Sequence, residues 1–171
     1  MAPEPPFPRP IPLHKSHDLT AFDCGAPSLN EFLRKYALQN HQNRSARTYV
    51  TARENRIVGY YTLAAGSVSR DDVAARVAKG LGKYPVPIIL LARLAVDRSE
   101  QGKGLGAALL KNALLRAVQA ADIVGCRAVL VHAKDQVAQA FYRKFDFEPS
   151  PVDELHLCLL IKDIQANLAN S

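Results

Sequence analysis

Tryptophan is absent, and Met1 is the single methionine. That leaves nothing from which to build a methionine-lined promiscuous surface. No apolar run approaches the roughly 20 residues of a membrane span; the longest mid-chain stretch, Ile88 to Ala92, falls far short, so no membrane partner is expected. The N-terminus is Pro-rich and lacks an apolar segment, so no signal peptide is expected. Cys24, Cys126 and Cys158 are an odd set without a C-x-x-C, which argues against a disulfide framework and for the cytoplasm. All three sit in or beside apolar stretches and are expected to be small core residues. His14, His17 and Cys24 lack a fourth zinc ligand, so no metal is expected. No Lys/Arg run marks a localisation signal or a basic arm.

What remains is 171 residues, 48% apolar and 22% charged, which fits one soluble globular domain. It is too short for a two-domain dehydrogenase or a kinase. The net charge of +6 is unevenly spread. From Arg34 to Arg93 there are 11 Lys/Arg against 3 Asp/Glu, a block of +8, whereas the remainder is slightly acidic. One reading is a solvated basic face; the other is a surface for a polyanion such as nucleic acid.

Residues 1–12 contain six prolines and are expected to form an extended lead-in to a domain over 13–171. Ser28-Leu29-Asn30-Glu31 reads as a capping box, and Leu29, Phe32, Leu33 and Tyr36 follow on one helical face. Thr48 to Ala52 and Ile57 to Ala64 read as a hairpin turning through Glu54-Asn55-Arg56. A helix is expected over Val73 to Lys79. Then come a buried strand over Pro87 to Val96, a helix over Gly104 to Ala121, a strand over Ala128 to His132, a short helix over Gln136 to Phe145 and a strand over Leu155 to Ile161. This order predicts an α/β (α+β) class: a single domain with a central, twisted, mixed sheet and helices on both faces.

After Leu94-Ala95-Val96 comes Asp97, and then Gln101-Gly102-Lys103-Gly104-Leu105-Gly106-Ala107. A strand feeds a glycine-rich turn in which a long helix begins. Open amides of a first helical turn suit a phosphate or pyrophosphate, and Lys103 adds charge. The alternative is a tight strand–helix turn without a ligand. The Walker A spacing is not met. Gly102, Gly104 and Ala107 fit the dinucleotide fingerprint, with Asp122 about 20 residues on. Asp122, however, follows the helix directly instead of ending a second strand.

Gln101-x-x-Gly104-x-Gly106, after Leu-Ala-Val-Asp, resembles the signature of the Gcn5-related N-acetyltransferases (GNAT). Ala138-Gln139-Ala140-Phe141-Tyr142, leading to Phe147, is similar to the second conserved segment of that superfamily. The resemblance implies acetyl-CoA as the cofactor, with its pyrophosphate on amides of Gln101, Gly102, Lys103, Gly104, Leu105, Gly106 and Ala107. It also implies that the pantetheine arm lies along Leu94, Ala95 and Val96 as an added strand, and that Asp135 and Phe141 lie on the cofactor side. Asp135 stands where many members carry Asn, and Asp146 where Gly is usual.

Acetyl transfer to an amine needs a neutral nucleophile, a stabilised oxyanion and a proton for the leaving thiolate. Tyr142 is the candidate donor, since a phenol titrates near 10. The helical pattern assigns Val137, Ala138, Phe141 and Phe145 to the buried face and turns Tyr142 about 100° away from Phe141, toward a cleft. The alternative is a tyrosine at the edge of the core. An amide around Leu94 to Val96 could polarise the thioester. The strand Pro87 to Val96 holds no Asp, Glu or His and carries Arg93. That favours an amine of low pKa, such as an α-amine near 8, over a lysine. Arg93 either meets an anionic substrate or sits in a buried ion pair.

Phe22-Asp23-Cys24-Gly25, Ser28 to Leu33, Leu91 to Asp97, the Gln101 loop and Phe141-Tyr142 together resemble the GNAT toxins of type II toxin–antitoxin systems. That resemblance implies a toxin that acetylates the α-amine of aminoacyl-tRNA and inhibits translation. The implied partners are a ribbon-helix-helix antitoxin and a second copy in a homodimer. Arg34, Lys35, Arg44, Arg47, Arg76, Lys79, Lys83 and Arg93 are the candidate tRNA contacts, of the kind that would not read sequence. The alternatives are a GNAT acting on a small amine or a protein N-terminus, and a non-catalytic acyl-CoA-binding module.

Overall fold

The structure is a computed structural model and describes residues 6–170. Residues 1–5 of the Pro-rich segment lie outside the described residues. Two compact units are present. One is built from the chain up to Ala64 together with Arg93–Ala113, the other from Ala65–Ala92 together with the chain from Leu114 onward.

In the first unit, β1 (Ile11–Pro12) pairs antiparallel with β2 (Arg47–Arg53), as Ile11↔Val50 and Pro12↔Tyr49. A proline fits such an edge position because it has no N–H to donate. β2 pairs antiparallel with β3 (Arg56–Val68), which is longer than the sequence pattern suggested. The hairpin turns on Glu54 (φ 50°) and Asn55 (φ 75°), both left-handed. Two such residues in succession match the right-handed twist of the strands they join.

The helical segment departs from its expected form at both ends. Pro27 opens α1 (Pro27–Glu31), the cap is Ala26, and the Ser28 side chain caps nothing. Asn30 does the fixing instead. Its buried amide accepts from the Cys24 N–H at 2.9 Å and donates to Asp23 at 3.0 Å. A π turn, Phe32–Tyr36, then precedes α2 (Ala37–Asn43). Its wider winding inserts one residue into the apolar stripe. Ala37 is therefore buried where Tyr36 was expected, and Tyr36 is half exposed. The core of this unit joins Phe22, Phe32, Leu33, Val50, Ile57, Tyr60 and Ala95.

In the second unit, β4 (Val86–Val96) pairs in parallel with β5 (Ala128–His132) through Ile88↔Ala128 to Leu91↔Val131. β5 pairs antiparallel with β7 (His156–Leu160), and β7 with the two-residue β6 (Glu148–Pro149). Parallel and antiparallel pairs with intervening helices make this the mixed α/β fold expected. A 3-10 turn (Arg70–Asp72) and the short α3 (Ala75–Ala78) replace the longer helix over Val73 to Lys79, because Val73 is still extended. Arg127 caps α3 by donating to the carbonyls of Val77 at 2.9 Å and Lys79 at 3.0 Å. Val73, Val77, Val86, Ile88, Leu130, Cys158 and Leu160 form the core. Of the three cysteines expected in the core, Cys158 is buried, Cys24 is half-buried and packs against the core of the first unit, and Cys126 is half-buried. α6 (Ile161–Ala169) was not foreseen.

Candidate functional site

The segment after β4 is held open by its own acids. Asp97 donates its N–H to Val58 at 2.8 Å and accepts from the amides of Asp23 at 2.9 Å and Ser99 at 3.0 Å, and from the Ser99 hydroxyl at 2.6 Å. Burial pushes its carboxyl up, but these hydrogen bonds and Arg56 outweigh burial, so it titrates below the usual range. A 3-10 turn (Arg98–Glu100) follows. Glu100 is buried and accepts from Arg53 at 2.7 Å. Gln101 does not reach outward: its amide donates to the carbonyls of Val96 at 2.9 Å and Cys24 at 3.0 Å, which pins the start of the loop.

Gly102 (φ 76°) and Gly104 (φ 89°) then take left-handed conformations, and a Cβ at either would meet nothing within 4 Å. Glycine is required here by backbone conformation, and the space beside it is open. α4 (Leu105–Ala121) begins at once, its first turn closed by the Ala108 N–H on the Gly104 carbonyl at 3.1 Å. Among the described residues, the amides of Gly102, Lys103, Gly104, Leu105, Gly106 and Ala107 find no acceptor. Open donors at the positive end of a 17-residue helix fit a pyrophosphate. Lys103 is less free than its charge suggested, for it donates to the Ser99 carbonyl at 3.0 Å and lies 3.5 Å from Glu100.

Leu94 and Val96 are half-buried and Ala95 is buried. The β4–β5 ladder stops at Leu91, while β4 itself runs on to Val96. In the same unit α4 lies so close to β3 that a Cβ on Gly59 would come within 3.0 Å of Leu105 and Leu109.

In the second unit α5 (Gln136–Arg143) is capped by Asp135, which accepts from the Ala138 N–H at 2.8 Å. The face of α5 is a correction: Val137 is 81% exposed, and the buried residues are Gln139 and Tyr142. The Tyr142 ring is 8% exposed, lies 5.5 Å from Phe147 and 5.2 Å from Phe141, and burial pushes its phenol up to about 12. No buried side-chain oxygen or nitrogen among the described residues lacks a partner, and the Tyr142 hydroxyl makes no hydrogen bond among them. The ring is therefore buried while its hydroxyl tip breaks the surface. Sequence periodicity mistook the helix face because Gln139 is drawn inward to donate to the Glu154 carbonyl at 3.0 Å.

The basic candidates divide between the units. Arg34 donates to the Phe22 carbonyl, Lys35 pairs with Glu31, and Arg47 donates to the His41 carbonyl at 2.8 Å. Arg44 ends α2 in a left-handed conformation. Arg93 stacks on Phe32 at 3.8 Å and has no carboxylate partner among the described residues, so the buried ion pair considered for it is not formed. In the other unit Lys79 and Lys83 are exposed. Arg76 is held between Glu148 at 2.6 Å and Asp163 at 2.8 Å.

A family model described as an acetyltransferase (GNAT) domain matches residues 44–149. A protein of Mycobacterium tuberculosis named tRNA-acetylating toxin is 56% identical over 149 residues, 87% of this chain and 89% of its own length. Among solved structures, AtaT complexed with acetyl-methionyl-tRNAfMet superimposes with a TM-score of 0.84 at 32% identity, over 91% of this chain and 94% of that one. A tyrosine-to-phenylalanine mutant of AtaT, bound to acetyl-CoA and the C-terminus of the antitoxin AtaR, gives 0.80 at 32% identity, over 94% and 97%.

Proposed function

The chain belongs to the GNAT acetyltransferases, and from that premise we propose that it acetylates the α-amine of aminoacyl-tRNA and so blocks translation as a toxin. It is an N-acetyltransferase, and its acetyl donor is acetyl-CoA. The observation that carries the substrate is the 56% identity to a tRNA-acetylating toxin across 87% of this chain.

The loop fits the donor. Six amides without acceptors, beside two glycines whose missing side chains leave open space, are the donor set a pyrophosphate needs. In this reading the amides from Gly102 to Ala107 hold the pyrophosphate. Gln101 holds the loop instead of the ligand, and Leu94 to Val96 hydrogen-bond the arm. The bound donor supplies a thioester carbonyl. Tyr142, protonated at every physiological pH, gives its proton to the departing sulfur. Asp135 serves the cofactor side as the cap that fixes α5, and Phe141 packs beside Tyr142.

The partner is an antitoxin, of ribbon-helix-helix type, as AtaT is found bound to AtaR. The active form is a homodimer and the compartment the cytoplasm; no helix among the described residues is long and apolar enough to cross a membrane. The test is to incubate the pure protein with labelled acetyl-CoA and total charged tRNA, free amino acids, polyamines or peptides. Label in the charged tRNA is expected. Label only in a small amine or peptide overturns the toxin reading.

A further inference from the structure

β4 carries no carboxylate or imidazole, yet the amine of an aminoacyl ester must shed a proton before it can attack. The strand paired with β4 carries an imidazole. His132 ends β5, and in the antiparallel register with β7 it stands directly opposite His156. Their rings stack with centroids 4.0 Å apart and planes 22° from parallel. Two imidazolium ions do not share such a contact, so at least one ring is neutral. Asp153 lies 3.5 Å from the His156 ring and is fixed in turn, accepting from the Leu155 N–H at 3.0 Å and from the His156 N–H through its carbonyl at 3.1 Å.

The pair lines a cavity of about 500 Å³ floored by Ile88, Leu90 and Leu130. The charged groups facing His132 are His156 from β7, Asp153 from the preceding loop and Asp72 from the 3-10 turn; β3 and β4 contribute none. In a chain of net charge +6, this cavity is lined, among the described residues, by two carboxylates and no Lys or Arg. Its field favours an ammonium group over an anion.

We propose, resting on the acetyltransferase reading above, that this cavity receives the acceptor's ammonium group and that His132 takes its proton, with His156 and Asp153 as positioning residues. The ammonium gives one proton to the His132 imidazole, leaving a neutral amine and an imidazolium. The amine then adds to the thioester carbonyl, so that a carbon–nitrogen bond forms and the carbon–sulfur bond breaks. Tyr142 protonates the departing sulfur and recovers a proton from the new amide nitrogen. The proton on His132, whose side chain is exposed, returns to water. Desolvation and the neighbouring His156 lower the His132 pKa, against the opposing pull of Asp153, which leaves the ring neutral near pH 7.

The experiment follows the pH dependence of kcat/KM for charged tRNA in the wild type, His132→Gln and Asp153→Asn, with calorimetry of acetyl-CoA binding as the check on folding. His132→Gln is expected to bind acetyl-CoA normally and to lose about 10²–10⁴-fold in rate. Its acid limb should move up toward the amine's own pKa, which the ester holds below the usual α-amine value of about 8. Asp153→Asn removes a charge that raises the imidazole pKa, so its acid limb should move to lower pH, a shift that a merely structural role would not produce. A wild-type rate and an unmoved limb in His132→Gln overturn the proposal even while charged tRNA is acetylated. If His132→Gln does not fold, the direction of the Asp153→Asn limb decides, and an unmoved limb overturns the proposal. If the wild type acetylates a small amine but not charged tRNA, the tRNA reading fails, and the same profiles on that amine decide the role of His132.

Discussion

The guanidinium of Arg93 lies 3.8 Å over the ring of Phe32 and meets no carboxylate among the described residues. A cation held on an aromatic face and left without a counter-ion is prepared for an anion from outside, since the stacking fixes its position without cancelling its charge. Arg93→Gln is therefore expected to raise KM for charged tRNA several-fold and to flatten its salt dependence, because each lost phosphate contact removes about one released counterion. Binding titrations at two salt concentrations check this; an unchanged salt slope assigns Arg93 to packing on Phe32.

Gly104 has φ 89° and open space where a side chain would go. Gly104→Glu would place a strained residue and a negative charge among the free amides at the start of α4. Acetyl-CoA affinity should fall at least tenfold in calorimetry, while circular dichroism shows the fold retained.

Tyr142→Phe removes one oxygen from a ring packed on Phe141 and Phe147. Because the hydroxyl makes no hydrogen bond among the described residues, stability should hardly change. Turnover should drop by about 10²–10⁴-fold. A wild-type rate with an unchanged Tm would leave the tyrosine only a packing role.

Asp97 is 5% exposed and anchors Asp23 and Ser99 to the end of β4. Its carboxyl titrates below the ordinary range in the folded chain. It therefore stabilises the fold above its unfolded pKa of about 4, and this contribution is lost as pH falls through the folded value. Asp97→Asn should cost about 1.5–3 kcal/mol, or roughly 2–4 °C of Tm per kcal/mol. It should also remove part of the wild type's loss of stability in acid. Thermal melts between pH 7 and pH 3 measure both effects.

How much of this was legible in the residues depended on the range of the interactions. The strand Ala128 to His132 matches its pattern to the residue, because a short apolar run beside a turn has few ways to fold. The glycines of the Gln101 loop mark the strand-to-helix turn that the structure has, but the hydrogen bonds of the side chains around it are not written in the local sequence. Gln101, Lys103 and Glu100 bond within the chain, and Glu100 does so with Arg53, 47 positions away. The face of α5 was misread because Gln139 is satisfied by a loop carbonyl, and α6 because its apolar residues follow a strand without a turn signal. His132 and His156 lie far apart in sequence and meet only through the β5–β7 register, so no local pattern announces them.

The π turn at Phe32–Tyr36 amounts to a spare residue lodged within otherwise α-helical chain. An ordinary substitution there exchanges one side chain. Deleting one residue of that turn would instead restore regular winding and leave Ala37 and all that follows facing as they do now, because the wide turn takes up its extra residue without advancing the stripe by the usual step of about 100°. The chain can thus shorten by one residue here without turning the face that α2 presents to the core or the direction in which Arg44 leaves the helix, whereas the same deletion inside α2 would turn both.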